Sequence, residues 1–215
     1  MKAQKTFLAS NGFILFLLAF IVFKFFGPPL FADPDIGWHI QAGSIILANK
    51  SIPLYDTWSY SADQQWYNIS WLWDIFNSLA VDTFGLQGLH TICAGLFALL
   101  LMLLYKSLEH RNNISADAKN IAITIAGLML WDLMYMRPQL ASYFIMLFMH
   151  LSLHKSRRDN GRYIAYTIPL AMLLWINIHG TFIVGYSLLA AYIIEACYTY
   201  NAKWFKNLLL ASILS

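Results

Sequence analysis

Acid–base groups concentrate in the segment FADPDIGWHIQAG, residues 31–43, where Asp33, Asp35 and His39 fall within seven positions. Carboxylates and imidazoles are the side chains that most often move protons in catalysis. The order Asp33-Pro34-Asp35 is typical of a helix start, with Asp33 as the N-cap and Asp35 in the first turn, one turn before His39. The segment predicts a catalytic carboxylate, Asp33 or Asp35, and a substrate or metal contact at His39. The simpler alternatives are a capping role for Asp33 and an ion pair between His39 and Asp35.

The composition places this segment in a membrane protein. The 215 residues are 59% hydrophobic and only 12% charged, whereas a soluble globular domain carries about 25% charged residues. The apolar surface would exceed what one soluble core of this size can bury, so we expect an all-α polytopic membrane protein. The net charge of +3 is too small to indicate a nucleic-acid partner.

Six apolar segments approach the roughly 20 residues that a transmembrane helix needs. Between the first two lies a long loop, residues 27–85, within a single transmembrane domain, residues 1–215. We predict two amphipathic interfacial helices in this loop, one starting at Asp33 and one over 71–84 that ends at Gly85, and the polar segment between them could form a short hairpin. The first of these helices would turn Ile36, Ile40 and Leu47 to one side. The six segments are 7–26, 86–108, 120–136, 138–154, 163–178 and 181–200, and the apolar tail could begin a seventh.

The distribution of positive charge predicts the orientation, because lysine and arginine favour the cytoplasmic side of a membrane. With the N-terminus in the cytoplasm, eleven of the fourteen basic residues, including Lys2, Lys5 and Arg111, fall on the cytoplasmic side. The loop 27–85 is then on the outer face and carries six of the eleven acidic residues. These six are Asp33, Asp35, Asp56, Asp63, Asp74 and Asp82.

Three further polar residues stand at the outer ends of predicted spans: Arg137 after the third, and Asn177 and His179 after the fifth. Ionisable groups at the apolar boundary are costly unless they are paired or used. We therefore expect these three to meet the segment 31–43 in one external pocket and to bind substrate with His39. An arginine would bind a lipid phosphate there, and a carboxylate would act as the base. The structural alternatives are that Arg137 extends to lipid headgroups and that His179 caps a turn at Gly180.

Several other residues have structural interpretations. Trp58, Trp71 and Trp73 suit the headgroup layer, where tryptophan is enriched. Asp132 and Glu195 lie within or at the ends of spans and could pair inside the helical bundle.

A series of short motifs follows one another at defined topological positions. The motifs are DPDIGWH (33–39), PLYDTWSY (53–60), Trp66, WLW (71–73), Arg137-Pro138 and WINIHG (175–180). Their order resembles a bacterial branch of the GT-C membrane glycosyltransferases, the superfamily of protein O-mannosyltransferases, aminoarabinose transferases and oligosaccharyltransferases. The resemblance implies a polyprenyl-phosphate sugar donor, transfer to an acceptor hydroxyl on the outer face of the bacterial inner membrane, and a catalytic carboxylate at Asp33 or Asp35. A divalent metal ion could assist at the acidic loop, although the sequence does not require one.

Two other classes of function stay open. Members of the superfamily have more spans, so the chain is expected to correspond to their N-terminal half. It could therefore be a non-catalytic membrane subunit that keeps this fold and packs into a larger membrane complex. A transporter is less favoured, because two corresponding halves with broken helices are not evident in the sequence.

Overall fold

Helices dominate the computed structural model, which describes residues 11–56, 60, 65–109, 114–131, 135–159, 161–199 and 201–215. No strand occurs in these ranges, so the all-α prediction is confirmed for them; Tyr55 and Gln65 form one isolated antiparallel bridge, as in the hairpin suggested for this loop. Predictions attached to Lys2, Lys5, Trp58, Asp63, Arg111 and Asp132 concern residues outside these ranges. The helices are α1 (Asn11–Phe26), α2 (Ile36–Asn49), α3 (Trp71–Glu109), α4 (Ala116–Trp131), α5 (Gln139–Asp159), α6 (Ile164–Ile176), α7 (Ile183–Tyr198) and α8 (Ala202–Leu214).

Helix α3 consists of two arms that meet at Gly85. The glycine has φ 68° and ψ 179° and interrupts the helical backbone between residues 71–84 and 86–109. This backbone conformation is essentially restricted to glycine, because a Cβ would collide with the neighbouring peptide groups. The predicted boundary between an amphipathic helix and a long apolar helix is therefore confirmed at the expected residue.

Two helical stretches among the described residues are long and apolar enough to cross a membrane, Trp71–Leu108 and Gly180–Tyr198. Shorter apolar helices cover Ile14–Phe26 and Ile164–Ile176. These helices leave large apolar side chains exposed, an arrangement that suits lipid surroundings better than water. Examples are Leu18, Phe25, Leu170, Leu173, Ile183 and Ile194.

The start of α2 differs in detail from the expected start. The N-cap is Asp35 rather than Asp33, and no side chain caps the helix there. Asp33 instead accepts a hydrogen bond from the backbone N–H of Asp35 at 3.1 Å, which is the geometry of an Asx turn leading into a helix. Asp33 thus shapes the helix entry, as its sequence position suggested, but from two residues upstream of the helix boundary.

The buried face of α2 is the expected one only in part: Ile36 is buried and Ile40 packs against the core, as predicted. His39, Gly43 and Ile46 lie on it, whereas Leu47 is exposed. Gly43 lets α2 approach α3 closely, because a Cβ at this position would overlap the backbone carbonyl of Asp74. The contact between these two backbones fixes where His39, one turn before Gly43, meets α3.

We expect Gly43→Ala to destabilise the protein by about 1–3 kcal/mol, since an added methyl group must force two backbones apart. Gly37→Ala in the same helix is the matched control, because nothing lies within 4 Å of a Cβ built there. Denaturation in detergent, followed by tryptophan fluorescence, measures both variants. Equal stabilities of the two variants would contradict the close contact of α2 with α3.

Helix α5 separates two polar regions of the molecule. Arg137 lies just before its first residue, and Arg157 lies in its last turn, where Nη2 is 2.5 Å from Oε2 of Glu195. The 21 residues of α5 span about 30 Å at ~1.5 Å per residue, close to the thickness of a bilayer core. Glu195 therefore pairs with Arg157; the suggested pairing with Asp132 concerns a residue outside the described ranges.

Candidate active site

The candidate site is built around a charged cluster of Arg137, Asp33 and Asp35. Arg137 donates to Oδ1 of Asp33 from Nε at 3.0 Å and from Nη2 at 2.7 Å, and Nη2 also lies 3.2 Å from Oδ2 of Asp35. The side chain of Asp33 is fully buried, whereas that of Asp35 is 43% exposed. Arg137 thus contacts two carboxylates that precede it in the sequence by 104 and 102 positions. A substrate could reach Asp35 more easily than Asp33.

Arg137 is held in place by the segment before α5. The indole N–H of Trp73 donates to the carbonyl of Met136 at 2.9 Å, and Met136 itself is fully buried. The backbone N–H of Leu140 donates to the carbonyl of Arg137 at 3.0 Å, which closes the first turn of α5. Trp73 was expected in the headgroup layer; that prediction is wrong, because Trp73 is buried and fixes the turn that carries the arginine.

Arg137 is charged, and only some of its N–H groups bind the two carboxylates. Its hydrogen bonds to Asp33 raise its pKa above the ordinary value, and burial opposes this more weakly. The guanidinium lies 5.6 Å from the centre of the Tyr135 ring, within range of a cation–π interaction. Nη1 has no hydrogen-bond partner among the described residues, and the side chain is 32% exposed. The Nη1 edge of the guanidinium group is therefore available to an anion.

A second pair of buried ionisable groups, His39 and Asp74, joins α2 to α3. Nδ1 of His39 lies 2.5 Å from Oδ1 of Asp74, and the two residues are 3% and 0% exposed. Asn68 donates to the other oxygen of Asp74 at 2.6 Å, and its own carbonyl oxygen accepts from the backbone N–H of Ser70 at 2.9 Å. Both oxygens of Asp74 are thus occupied. A carboxylate can only accept a hydrogen bond, so Nδ1 of His39 is the donor of this pair.

His179 belongs to a third polar group, at the turn between α6 and α7. It is the N-cap of the short 3₁₀ turn Gly180–Phe182, and its Nδ1 accepts from the backbone N–H of Thr181 at 3.4 Å and lies 2.6 Å from the hydroxyl of Thr181. The capping role expected from its place beside Gly180 is confirmed. Burial, and then the nearby His39, lower the pKa of His179. His179 therefore stays neutral near pH 7, with Nε2–H as a donor.

Asn177 connects the same turn to the start of α3. Its side-chain oxygen accepts from the indole N–H of Trp71 at 2.8 Å, and its backbone oxygen accepts from the N–H of Leu72 at 3.3 Å. Its side-chain amide donates to Leu173 at 2.7 Å. These contacts give Asn177 a positioning role and leave little of its amide for a substrate.

The structure places most of the residues singled out from the sequence in these three polar groups. Asp33, Asp35 and Arg137 form the first, and His39 and His179 are near enough to interact electrostatically. His39 pairs with Asp74 and not with Asp35, which corrects the simpler expectation for it. Within the described ranges, no three His, Cys, Asp or Glu side chains are arranged to hold a metal ion.

Sequence reasoning missed Asp74 and Asn68 as members of the site. In the sequence, Asp74 stands out only as one of six acidic residues in a loop. The available signal was the helical spacing of polar residues on the face of α3 that also carries Trp73 and Ala80. Buried polar side chains occupy this face at Asp74, Asn77 and Ser78, and the buried Ser70 directly precedes the helix. A polar stripe on a core-facing helix side indicates partners on another element.

The fold and the site define an all-helical protein with two candidate membrane-spanning helices and a buried acid–base cluster. No protein-family model, curated protein or solved structure matches the chain.

Proposed function

We propose that this protein is a multi-pass membrane glycosyltransferase that moves a sugar from a polyprenyl-phosphate donor to an acceptor hydroxyl on the outer face of a bacterial inner membrane. The observation that carries the proposal is the contact of Arg137 with one buried and one exposed carboxylate at the end of apolar helices. A lipid-linked phosphate offers the matching groups, an anionic head beside an apolar chain. Six spans and a cytoplasmic N-terminus complete the proposed topology.

Arg137 is the proposed contact for the departing lipid phosphate. Its Nε and Nη2 are committed to Asp33, while Nη1 faces no protein acceptor within the described residues. A planar guanidinium binds phosphate oxygens through paired N–H groups, and Asp33 preorganises it for that contact. The proposed task of Asp33 is thus to hold the arginine, because its own side chain is fully buried.

Asp35 is the proposed proton acceptor. Its 43% exposure gives an acceptor hydroxyl access to the carboxylate, and the guanidinium of Arg137 is 3.2 Å away. With both aspartates ionised the cluster has one net negative charge, which would oppose the developing phosphate. Taking the proton of the acceptor hydroxyl neutralises Asp35 as the bond between the sugar and the phosphate breaks, so the charge opposing the leaving group falls during the reaction.

The release of polyprenyl phosphate tests the proposed reaction whatever the identity of the acceptor. The chain is reconstituted in lipid nanodiscs with undecaprenyl-phosphate hexoses and a membrane extract as the source of acceptors. We expect time-dependent release of undecaprenyl phosphate by the wild-type protein and none above background by the variant with both Asp33→Asn and Asp35→Asn.

Equal release by the two proteins would contradict the proposed site. An absence of release by wild type, together with stoichiometric copurification in a larger membrane complex, would favour a non-catalytic subunit instead.

A further inference from the structure

A buried contact joins the start of α8 to the end of α5, at the opposite end of α5 from Arg137. The indole N–H of Trp204, in the first turn of α8, donates to the hydroxyl of Ser156 in the last turn of α5 at 2.8 Å. Trp204 is 2% exposed and Ser156 is fully buried, and the hydroxyl of Ser156 donates in turn to the carbonyl of Leu153 at 2.6 Å. The side-chain oxygen of Asn201 caps α8 by accepting from the backbone N–H of Trp204 at 3.0 Å. The first turn of α8 is therefore fixed beside the last turn of α5.

Basic residues stand on both sides of this contact, next to Ser156 in α5 and next to Trp204 in α8. Five of them are exposed, and none of the five forms an ion pair with a residue in the described ranges. The acidic residues of the same region are already bonded, because Glu195 pairs with Arg157, and Asp159 accepts from a backbone N–H of its own turn at 2.9 Å. Positive charge is therefore in excess at this end of the molecule. The five exposed residues are Lys155, Arg158, Arg162, Lys203 and Lys206.

Helix α8 has a buried face and an exposed face, and the exposed face changes from charged to apolar along the helix. The buried face consists of Trp204, Leu208 and Ala211, at the spacing of one side of a helix that packs against α6 and α7. The exposed face begins with two ammonium groups and continues with leucine and isoleucine side chains, so a cationic surface and an apolar surface are continuous. Its large residues are Lys203, Lys206, Leu209, Leu210, Ile213 and Leu214.

We propose that the end of α5 and the exposed face of α8 form a binding site for an anionic phospholipid. Its phosphate would lie at Lys203 and Lys206, beside the basic end of α5, and its acyl chains would cover the apolar half of α8. Basic side chains at the end of a membrane helix attract anionic headgroups. A soluble phosphate would match the charges but leave the apolar half of this face uncovered, so the lipid is the better occupant. This inference requires that the chain lies in a membrane, and it does not depend on the transfer reaction.

Two phospholipids with the same dioleoyl chains give a direct test, because phosphatidylglycerol has a net negative charge and phosphatidylethanolamine has none. Each lipid is titrated into the full chain in a neutral detergent, and the bound lipids are counted by native mass spectrometry. We expect wild type to bind phosphatidylglycerol roughly 10- to 30-fold more tightly, on the basis of about 5-fold for each lysine near the phosphate. The preference should weaken at high ionic strength, because salt screens exposed charges.

Three variants connect that preference to α8. Lys203→Gln together with Lys206→Gln is expected to remove most of the preference and to leave the affinity for phosphatidylethanolamine within about 2-fold. Lys203→Arg together with Lys206→Arg retains both charges and should retain the preference. Lys50→Gln is the control for position, since Lys50 is an exposed lysine at the end of α2, and it should bind both lipids as wild type does. Circular dichroism checks that the helix content of each variant is unchanged.

Three results would overturn the inference. The first is equal affinity of wild type for the two lipids, and the second is a wild-type preference in the variant with both glutamines. The third is displacement of bound phosphatidylglycerol by an equimolar amount of glycerol 3-phosphate, which carries the phosphate without acyl chains and would identify the occupant as a soluble anion. A preference that is lost with the two lysines of α8 and kept in Lys50→Gln supports the lipid site, whether or not the chain releases undecaprenyl phosphate.

Discussion

Asp35→Asn is expected to lower the rate of polyprenyl-phosphate release by about 10²–10⁴-fold, the usual contribution of a positioned general base. An amide cannot take the proton of the acceptor hydroxyl, yet it has nearly the size of a carboxylate. Because Arg137 keeps its two hydrogen bonds to Asp33 in this variant, we expect lipid phosphate binding to change by less than about 10-fold, the equivalent of ~1.4 kcal/mol. The measurement is the kcat for release beside the equilibrium binding of undecaprenyl phosphate.

Asp82→Asn is the matched control, since Asp82 is an exposed aspartate on α3 and should leave both quantities unchanged. A wild-type rate for Asp35→Asn would remove Asp35 from the role of proton acceptor. A loss of lipid binding with an unchanged kcat would assign Asp35 to binding, directly or through a cation.

The local features of the fold were predictable because they depend on residues close together in sequence. Gly85 follows an amphipathic stretch and precedes an apolar one, and only glycine adopts the conformation found there. The helix entry at Asp33-Pro34-Asp35 was likewise recognisable from capping preferences, although its boundary moved by two residues. The number of membrane crossings was less predictable: two of the six predicted spans pass as long apolar helices in the described residues, and the other four stay predictions.

The partners within the site were predictable only where topology determined them. Arg137 and the two aspartates were expected to meet because they stand at the same end of predicted spans, and an unpaired charge at that boundary is costly. Whether His39 pairs with Asp74 depends on which face of α2 packs against α3. That face is selected by the absence of a side chain at Gly43. Hydrophobic periodicity correctly placed Ile36 and Ile40 on it, but it also placed Leu47 there, which is exposed. Trp73 was misassigned for a different reason: an indole suits both a membrane interface and a buried hydrogen bond to a carbonyl.

The largest effect on stability is expected from Arg137→Gln, at about 3 kcal/mol of unfolding free energy. Removing the arginine leaves the fully buried Asp33 carboxylate with only the backbone N–H of Asp35 as a partner, and an uncompensated buried charge typically costs about 3–5 kcal/mol. Because Arg137 is 32% exposed, solvent screens part of the interaction, and the lower end of that range applies. Denaturation in mixed micelles, followed by tryptophan fluorescence, provides the measurement.

A second substitution separates this structural effect from catalysis. Adding Asp33→Asn to Arg137→Gln removes the unpaired charge, so the double variant should recover more than half of the lost stability. Arg157→Gln is the matched control: its ion pair with Glu195 has the same chemistry but is more than a third exposed on both sides, and its loss should cost about 1 kcal/mol or less. If the double variant is stable and still releases no polyprenyl phosphate, the arginine itself is needed for the reaction. A double variant as unstable as Arg137→Gln alone would show that the arginine contributes packing and not charge compensation.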